Sequence, residues 1–386
     1  MSSLWGLLLT LAVVEVAVRT VRALRHHQRW LGLWRLPAPK ALAFEDHPYA
    51  LYVRKPNCDG RYPSNSLGYA GKRELAPSRR PGSVRLYCVG GSTVEDHDPA
   101  QGPDSSWPGK LQDLLSARFP EATIECINAA TAGYTSAESL AEFAFRGVDL
   151  RPDLLLVYHN VGDCWTAQMV EGFKSDYAHA RRHKPWTLGW ANRIPQLPQW
   201  WTYQLLRDWA ARRFGKANAL IYWIADPPWK TVRKFNATAV AAFERNLTNL
   251  AAIARTWGCT PVLIKWECDW SARRLPVYLE QTPEATQVYF EFLNANNEAV
   301  KRVATRIDGC VFLDVGPLTP QHFSDTIHFS PSGLEEMARR VARGIEPLVR
   351  SLVEAQRGTG GAVIAGLIEG GHTTPQPSTN FQSQDA

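Results

Sequence analysis

The sequence lacks several patterns that mark well-known protein classes. Its 7 cysteines contain no CxxC pair and no Cys/His cluster with zinc spacing. They are scattered over positions 58, 88, 126, 164, 259, 268 and 310. The pattern argues against a disulfide framework and against a metal site, so we expect neither a metal nor another cofactor. No internal repeats are visible.

A large excess of one charge is also missing. The formal net charge is +6, with 21% charged and 45% hydrophobic residues. This composition is ordinary for a globular protein and excludes disorder as the main state. The small positive excess favours anionic surfaces without requiring nucleic acid. A chain of 386 residues can form one large α/β domain with additions, or two domains.

The N-terminus lacks an uninterrupted apolar run long enough to be a simple membrane span. The run from Leu4 to Val14 is followed by Glu15, Arg19 and Arg22, whereas a spanning helix needs roughly 20 mostly apolar residues. No positive charge precedes the run, which argues against a cleaved secretory signal. The charged residues recur every three or four positions and therefore share one helical face.

We therefore predict an N-terminal membrane-associated helix within residues 1–35 that contacts the membrane through residues 4–30. It could span the membrane or lie in its interface, or it could be an amphipathic helix packed on the protein's own core. Arg25 and Arg29, beyond Arg22, favour a cytoplasmic location for the C-terminal flank, so we expect the rest of the chain in the cytoplasm.

Apolar runs and helical patterns alternate after an irregular lead-in over residues 36–83. The apolar runs predict five buried strands, at residues 84–89, 123–128, 154–159, 261–266 and 310–314. Amphipathic stretches predict helices at Ser105–Phe119, Ser136–Arg146, Thr238–Trp257, Ala285–Ile307 and Pro331–Val353. The alternation predicts an α/β fold over residues 84–353, with a parallel sheet covered by helices on both faces. Residues 354–386 are predicted to form a disordered tail.

Residues 165–235 are too long to be a simple crossover between strands and are predicted to form a helical insertion. The segment holds more than half of the 15 tryptophans together with many arginines and lysines. It could be a small subdomain packed over the sheet, or a substrate lid or membrane patch. Single-stranded nucleic acid is a less favoured partner.

The stretch "YCVGGSTVED", from Tyr87 to Asp96, presents a serine immediately after a predicted buried strand. A Walker loop needs a lysine that this stretch lacks, and a dinucleotide-binding turn needs three spaced glycines where only Gly90 and Gly91 occur. A serine on a sharp strand-to-helix turn fits an exposed nucleophile. Ser92 is therefore either a nucleophile or a simple loop serine.

A base and a residue that orients it occur together in "FSDTIHFSPSG", where Asp325 and His328 lie three residues apart before the last helix. The aspartate can hold one imidazole nitrogen while the other faces a hydroxyl. Taken alone, the pair could be a capping aspartate beside a surface histidine. Both this turn and Ser92 follow strands at the carboxyl edge of the predicted sheet, where ligands bind.

Four stretches in this order, "VGGST", "NAATAGYTS", "VYHNVGD" and "SDTIHFSPSG", resemble the SGNH (GDSL-like) hydrolase superfamily, and its bacterial GGST branch in particular. The resemblance covers about residues 45–350. It implies a flavodoxin-like three-layer α/β/α sandwich and hydrolysis of acyl esters. It also implies that Ser92 is the nucleophile, His328 the base and Asp325 its orienting acid. The backbone N–H groups of Ser92 and Gly133 match the oxyanion hole.

One position departs from the family pattern. Where the family has GxND, with the asparagine side chain donating to the oxyanion, this chain has "HNVGD". A strict match places Gly162 on the asparagine position and Asn160 on the glycine. Either Asn160 reaches the oxyanion from an altered loop, or the donor is missing. Asp163 is expected to be a loop anchor, and His159 a polar residue at a strand end.

We predict a serine esterase or deacylase that hydrolyses an acetyl or short acyl ester of a carbohydrate, lipid or small molecule. An O-acyltransferase on the same fold and a non-catalytic binding protein are the alternatives. The first shares the triad, and the second follows from the glycine at position 162. The sequence does not determine the substrate or the oligomeric state, because specificity resides in loops rather than in the fold.

Overall fold

The structure is a computed structural model and describes residues 2–25, 43–169, 172–180, 234–272 and 282–369. Most of the predicted insertion, residues 170–171 and 181–233, lies outside the described residues, as do residues 370–386 of the predicted tail.

A two-stranded antiparallel hairpin precedes the main sheet. It consists of β1 (Phe44–His47) and β2 (Leu51–Arg54), with Phe44 opposite Arg54. This corrects the prediction that residues 36–83 are irregular throughout. The strands are only four residues long and carry no strong apolar alternation, so their sequence gave no strand signal.

Five parallel strands form the main sheet, in the order β4-β3-β5-β6-β7. They are β3 (Ser83–Gly90), β4 (Thr123–Asn128), β5 (Leu154–Tyr158), β6 (Thr260–Ile264) and β7 (Val311–Leu313). All residues of the central strands β3 and β5 are buried, as expected when helices cover both faces. The prediction of a five-stranded parallel sheet is confirmed, with strand ends shifted by one or two residues.

Eight α-helices accompany the strands within the described residues. They are α1 (Ser2–Arg25), α2 (Ser92–Glu95), α3 (Trp107–Arg118), α4 (Ser136–Glu142), α5 (Val161–Met169), α6 (Ala237–Thr256), α7 (Pro283–Arg306) and α8 (Pro331–Glu369). The predicted helix over Ser136–Arg146 is α4 followed by one π-turn over Phe143–Gly147.

The helices form two layers, one on each side of the sheet. Helices α3 and α8 pack together and against β3 and β4, whereas α4, α5, α6 and α7 pack with one another and against β3, β6 and β7. Capping side chains begin several of these helices, such as Thr135 and Glu138, which form a reciprocal capping box on α4. The result is the predicted three-layer α/β/α sandwich.

Helix α8 extends to Glu369, well past the predicted end at Val353. Residues just beyond Val353 still contact the domain, since Gln356 Nε2 donates to the carbonyl of Ser83 at 3.0 Å. Arg357 also forms an ion pair with Glu121 at 3.2 Å. The last helix therefore continues past the predicted boundary at residue 353, into the segment predicted to be a disordered tail.

The N-terminal region begins with α1, which exposes several apolar side chains. None of the helices in the described parts of the chain combines the length and the apolar character that crossing a membrane requires.

Candidate active site

Ser92 begins α2 just past the end of β3, at the carboxyl edge of the sheet. A Cβ atom built at Gly90 lies 2.8 Å from the carbonyl oxygen of Tyr158 and 2.3 Å from Cγ2 of Val94. Only glycine fits there, because any side chain collides with the neighbouring strand and with the helix that follows. The close approach lets the chain turn sharply, and it places the partly exposed Ser92 at the sheet edge.

The loop between β7 and α8 supplies His328 and Asp325. It is held by an antiparallel bridge between Phe323 and Phe329, whose rings stack with centroids 5.5 Å apart. The N–H of Ser324 donates to the carbonyl of His328 at 2.8 Å and closes the turn. The loop therefore presents the imidazole from a folded turn rather than from a free segment.

The three side chains form a hydrogen-bonded series. Ser92 Oγ lies 2.9 Å from His328 Nε2, and His328 Nδ1 lies 2.7 Å from Asp325 Oδ2. The other carboxylate oxygen, Asp325 Oδ1, accepts from the backbone N–H groups of Ile327 at 2.8 Å and His328 at 2.7 Å. The carboxylate is thereby fixed in the position that orients the imidazole, which is the arrangement of a serine nucleophile with its base.

The charges around His328 favour its protonated form. Burial lowers the pKa of His328, but the hydrogen bond and charge of Asp325, with the charges of Asp96 and Glu95, raise it above the ordinary 6.5. Burial raises the pKa of Asp325, but the hydrogen bonds from His328 and from the backbone bring it below its usual value. The site thus stabilises the imidazolium that forms when a histidine takes a proton from serine.

Gly133 lies in the loop between β4 and α4, in the left-handed region with φ of 85°. The loop crosses above the end of β3, because Thr131 N–H donates to the carbonyl of Gly90 at 3.2 Å. Within the described residues, the N–H of Gly133 makes no hydrogen bond. It is therefore available for a ligand.

Asn160 and Gly162 occupy positions that do not resemble an oxyanion donor. Both amide hydrogens of Asn160 are donated to α7, to the carbonyl of Leu293 at 2.8 Å and to Asn297 Oδ1 at 3.1 Å. A Cβ built at Gly162 lies 2.5 Å from the carbonyl oxygen of Tyr134. An asparagine does not fit at position 162 on this backbone, and Asn160 has no amide hydrogen to spare.

Asn128 ties together the elements beside Ser92. Its Nδ2 donates to the carbonyl of Val94 at 3.0 Å and to Ser106 Oγ at 3.2 Å, and its Oδ1 accepts from the N–H of Ala130 at 3.2 Å. These bonds join β4 to α2 and to the start of α3. The side chain of Asn128 acts on the scaffold rather than on a substrate.

A second set of serine, histidine and aspartate lies buried behind the end of β5; we call Ser139, His159 and Asp163 the buried triplet. His159 Nε2 lies 2.8 Å from Ser139 Oγ, and His159 Nδ1 lies 3.9 Å from Asp163 Oδ2. Burial lowers the pKa of His159 to about 4 and raises the pKa of Asp163 to about 6. Asp163 accepts hydrogen bonds from Ser136 Oγ at 2.5 Å and from the hydroxyl of Tyr177 at 2.8 Å, which anchors α5 to α4.

Two parts of the site were missed at the sequence level. Glu95, inside the quoted stretch around Ser92, is buried and pairs with Arg54 of β2 at 2.5 Å. Tyr52, also in β2, donates to the carbonyl of Ala132 at 2.5 Å, next to Gly133. Glu95 lies three residues after Ser92, and this spacing could have indicated that it shares a helical turn with Ser92. Nothing in the sequence connected the hairpin to the site.

Over the residues that the structure describes, no three or more His, Cys, Asp and Glu side chains gather in an arrangement able to hold a metal ion.

Ser92 and His328 thus lie in hydrogen-bond contact at the sheet edge of a three-layer α/β/α domain. The sequence profile of the GDSL-like lipase/acylhydrolase family matches residues 88–335. The match covers more than half of the chain, so the chain belongs to this family and is a serine ester hydrolase. No curated protein sequence matches the chain significantly.

Similar solved structures include two enzymes. One is LAE5, described as an alpha/beta hydrolase enzyme from the metagenome of Lake Arreo, Spain, with 16% identity and a TM-score of 0.40 over 69% of this chain and 96% of that chain. Another is Axe2, described as an acetylxylan esterase from Geobacillus stearothermophilus, with 15% identity and a TM-score of 0.40 over the same shares, 69% and 96%.

Proposed function

We propose that Ser92, His328 and Asp325 are the catalytic triad of this acylhydrolase. The observation that supports the proposal is the unbroken hydrogen-bonded series, 2.9 Å from Ser92 Oγ to His328 Nε2 and 2.7 Å from His328 Nδ1 to Asp325 Oδ2. These distances lie within the range expected of a nucleophile, its base and an orienting acid.

In the proposed reaction, Ser92 Oγ attacks the ester carbonyl carbon while His328 Nε2 takes the hydroxyl proton. The tetrahedral oxyanion is held by the backbone N–H groups of Ser92 and Gly133. As the bond to the alcohol breaks, His328 gives its proton to the leaving oxygen. Water then attacks the acyl-serine, passes a proton to His328, and releases the acid and the free serine.

The substrate we propose is an acetyl or short-chain ester of a carbohydrate, a lipid or a small alcohol. The side chains of His328 and Asp325 are 26% and 55% exposed, so among the described residues the proposed base and its orienting acid lie at the protein surface, where an ester can approach. A panel of acetyl, butyryl and longer-chain p-nitrophenyl esters measures the preferred acyl length.

Labelling by a fluorophosphonate, followed by intact-protein mass spectrometry, tests the nucleophile. We expect the wild-type protein to gain one adduct, on Ser92, and the Ser92→Ala variant to gain none. Thr93→Ala changes the neighbouring hydroxyl and serves as the control, which should label as fast as the wild type. Labelling of Ser92→Ala at the wild-type rate would contradict the proposal.

The proposed donor set leaves out the side chain of Asn160, because its amide hydrogens bind Leu293 and Asn297. Asn160→Ala and Asn297→Ala break the same buried contact. We therefore expect them to lower stability and activity to a similar degree. A loss of activity in Asn160→Ala that far exceeds the loss in Asn297→Ala, at equal stability, would identify Asn160 as a donor.

We also propose that α1 binds the surface of a membrane. Leu9, Val13 and Val16 are 67%, 60% and 49% exposed, and their spacing places them on one face of the helix. Basic residues follow in the sequence, at Arg22 and Arg25, and suit an anionic lipid surface. An apolar face beside basic residues is typical of an interfacial helix.

Sedimentation with phosphatidylcholine vesicles, with and without phosphatidylserine, tests this contact. We expect the wild type to sediment with the anionic vesicles and the double variant Leu9→Glu/Val13→Glu to stay in solution. Thr10→Glu adds a charge on a different part of the same helix and is the control. Equal binding by the double variant and the control would rule out the proposed face.

A further inference from the structure

The hairpin β1–β2 and helix α2 each contact the loop that precedes Gly133 through one side chain. Tyr52 donates its hydroxyl to the carbonyl of Ala132 at 2.5 Å. The N–H of the same residue, Ala132, donates to Glu95 Oε2. Both backbone groups of Ala132 are therefore held by side chains from outside the loop, and Gly133 follows directly.

The peptide plane between Ala132 and Gly133 makes the first of these bonds important. A trans peptide unit is planar, with its C=O and its N–H pointing in opposite directions. The carbonyl that Tyr52 holds and the N–H of Gly133 belong to the same plane. By fixing one, Tyr52 fixes the direction of the other.

Electronic effects act in the same direction. A hydrogen bond accepted by an amide oxygen polarises the amide and makes its N–H a stronger donor. The hydroxyl of Tyr52 therefore orients the N–H of Gly133 and increases its positive charge. Gly133 has no side chain and has φ of 85°, so the peptide group before it can adopt more than one orientation. A contact from outside the loop is needed to select one of them.

Tyr52 is itself held in place. The hydroxyl of Tyr134 donates to the backbone carbonyl of Tyr52, and the two rings pack edge to face with centroids 5.2 Å apart. Two residues further along β2, Arg54 pairs with Glu95, and both side chains are more than nine-tenths buried. Glu95 lies in the same helical turn as Ser92. The hairpin thus joins the nucleophile turn to the loop of Gly133.

We propose that Tyr52 is a positioning residue that sets the direction of the Gly133 N–H toward the oxyanion, with Glu95 fixing the preceding peptide group. The proposal rests on the function proposed above, in which Gly133 holds the oxyanion. A donor aimed in advance contributes to the transition state and not to substrate binding.

The variant Tyr52→Phe removes the hydroxyl and keeps the ring. We expect kcat for p-nitrophenyl acetate to fall about 10- to 100-fold with little change in KM, which is less than the roughly 100- to 1000-fold effect of deleting a whole oxyanion donor. A trifluoromethyl ketone, which adds to the serine as a tetrahedral oxyanion, should bind more weakly by a similar factor. Binding of this analogue reports the oxyanion contact, which a general loss of stability does not change.

Tyr69→Phe is the matched control. Tyr69 is also a buried tyrosine of the segment before β3, but its hydroxyl bonds to the hydroxyl of Tyr87 at 3.3 Å. Its variant should keep the wild-type kcat and the wild-type affinity for the ketone. The proposal fails if Tyr52→Phe matches this control in both measurements.

Glu95→Gln tests the other bond and replaces Tyr52→Phe if that variant does not fold. Its control is Glu125→Gln, which alters a similar buried pair, Arg85 with Glu125 at 2.8 Å, at the opposite end of β3. We expect weaker ketone binding in Glu95→Gln alone, and equal ketone binding by the two variants overturns the proposal.

The Ser92→Ala variant separates the proposed function from the proposed role of Tyr52. If it keeps its activity, the proposed function fails. If it is inactive while Tyr52→Phe behaves like Tyr69→Phe, only the role of Tyr52 fails.

Discussion

The triad at the sheet edge and the buried triplet behind β5 contain the same three types of side chain. In the triad, Ser92 Oγ lies 2.9 Å from His328, and in the buried triplet Ser139 Oγ lies 2.8 Å from His159. The second contact differs, since Asp325 lies 2.7 Å from its histidine and Asp163 lies 3.9 Å from its own.

Exposure separates the two sets further. The side chain of His328 is 26% exposed and that of His159 is 2% exposed. An ester cannot reach Ser139, and the buried His159 has a pKa lowered to about 4 by desolvation. His328, with a carboxylate in direct contact, has a raised pKa. A serine–histidine contact of normal length therefore does not identify a catalytic site unless the aspartate is engaged and the serine is accessible.

Replacing each serine should give the largest difference in activity between the triad and the buried triplet. We expect Ser92→Ala to lower kcat for p-nitrophenyl acetate by a factor of about 10⁴ or more, because the nucleophile is lost. Ser139→Ala should leave kcat within about twofold of the wild type, since surface and scaffold changes away from the reacting atoms alter mainly stability. Steady-state rates of the two variants decide it, and a large loss in Ser139→Ala would give the buried triplet a catalytic role.

The two aspartates should differ nearly as much. Asp325→Asn removes the charge that stabilises the imidazolium, and in a buried triad such a change costs roughly 10⁴ in kcat. Because the Asp325 side chain is 55% exposed, water offsets part of the loss, and we expect roughly 10³. Asp163→Asn should change kcat only slightly. Comparable losses in the two variants would show that Asp163 acts on the chemistry.

Much of the fold and of the triad could be predicted from the sequence, because both depend on patterns within short stretches of the chain. The buried strands are continuous apolar runs, and Ser92, Asp325 and His328 follow strands that end at one edge of the sheet. The parallel pairing that brings them there follows from the alternation of strands and helices. The exchange of Asn160 and Gly162 was visible as well.

Long-range contacts between short polar segments could not be predicted. The hairpin strands are too short to show a period, and the bond from Tyr52 to Ala132 joins residues 80 positions apart. The engagement of Asn160 with α7 depends on how that helix packs, which no local pattern records. The extension of α8 past Val353 depends on contacts such as Gln356 with Ser83.

Replacing each aspartate by alanine should reverse their order when the free energy of unfolding is measured instead of kcat. Asp163→Ala should then have the larger effect and Asp325→Ala the smaller. Asp163→Ala leaves the N–H and hydroxyl of Ser136 and the hydroxyl of Tyr177 without their acceptor in a buried place. We expect a loss of about 2–3 kcal/mol in the free energy of unfolding. Asp325→Ala, at the exposed site, should cost less than about 1 kcal/mol. Urea unfolding of both variants measures this difference. Equal losses in the free energy of unfolding would show that the hydrogen bonds of Asp163 do not stabilise the fold more than those of Asp325.

The smallest effect concerns pH. The reaction needs neutral His328, and since Asp325, Asp96 and Glu95 raise its pKa above 6.5, kcat/KM should fall as the pH drops through a value above 6.5. In Asp325→Asn, the contact that raises the pKa of His328 most is lost, while burial still lowers that pKa. The acid limb of the pH–rate profile should therefore lie at a lower pH in this variant than in the wild type. Asp163→Asn should leave the limb unchanged, because His159 stays neutral in this range with a pKa of about 4. Rates of p-nitrophenyl acetate hydrolysis between about pH 5 and 9 test both statements. A limb that moves with Asp163 and not with Asp325 would assign the titrating base to the buried triplet.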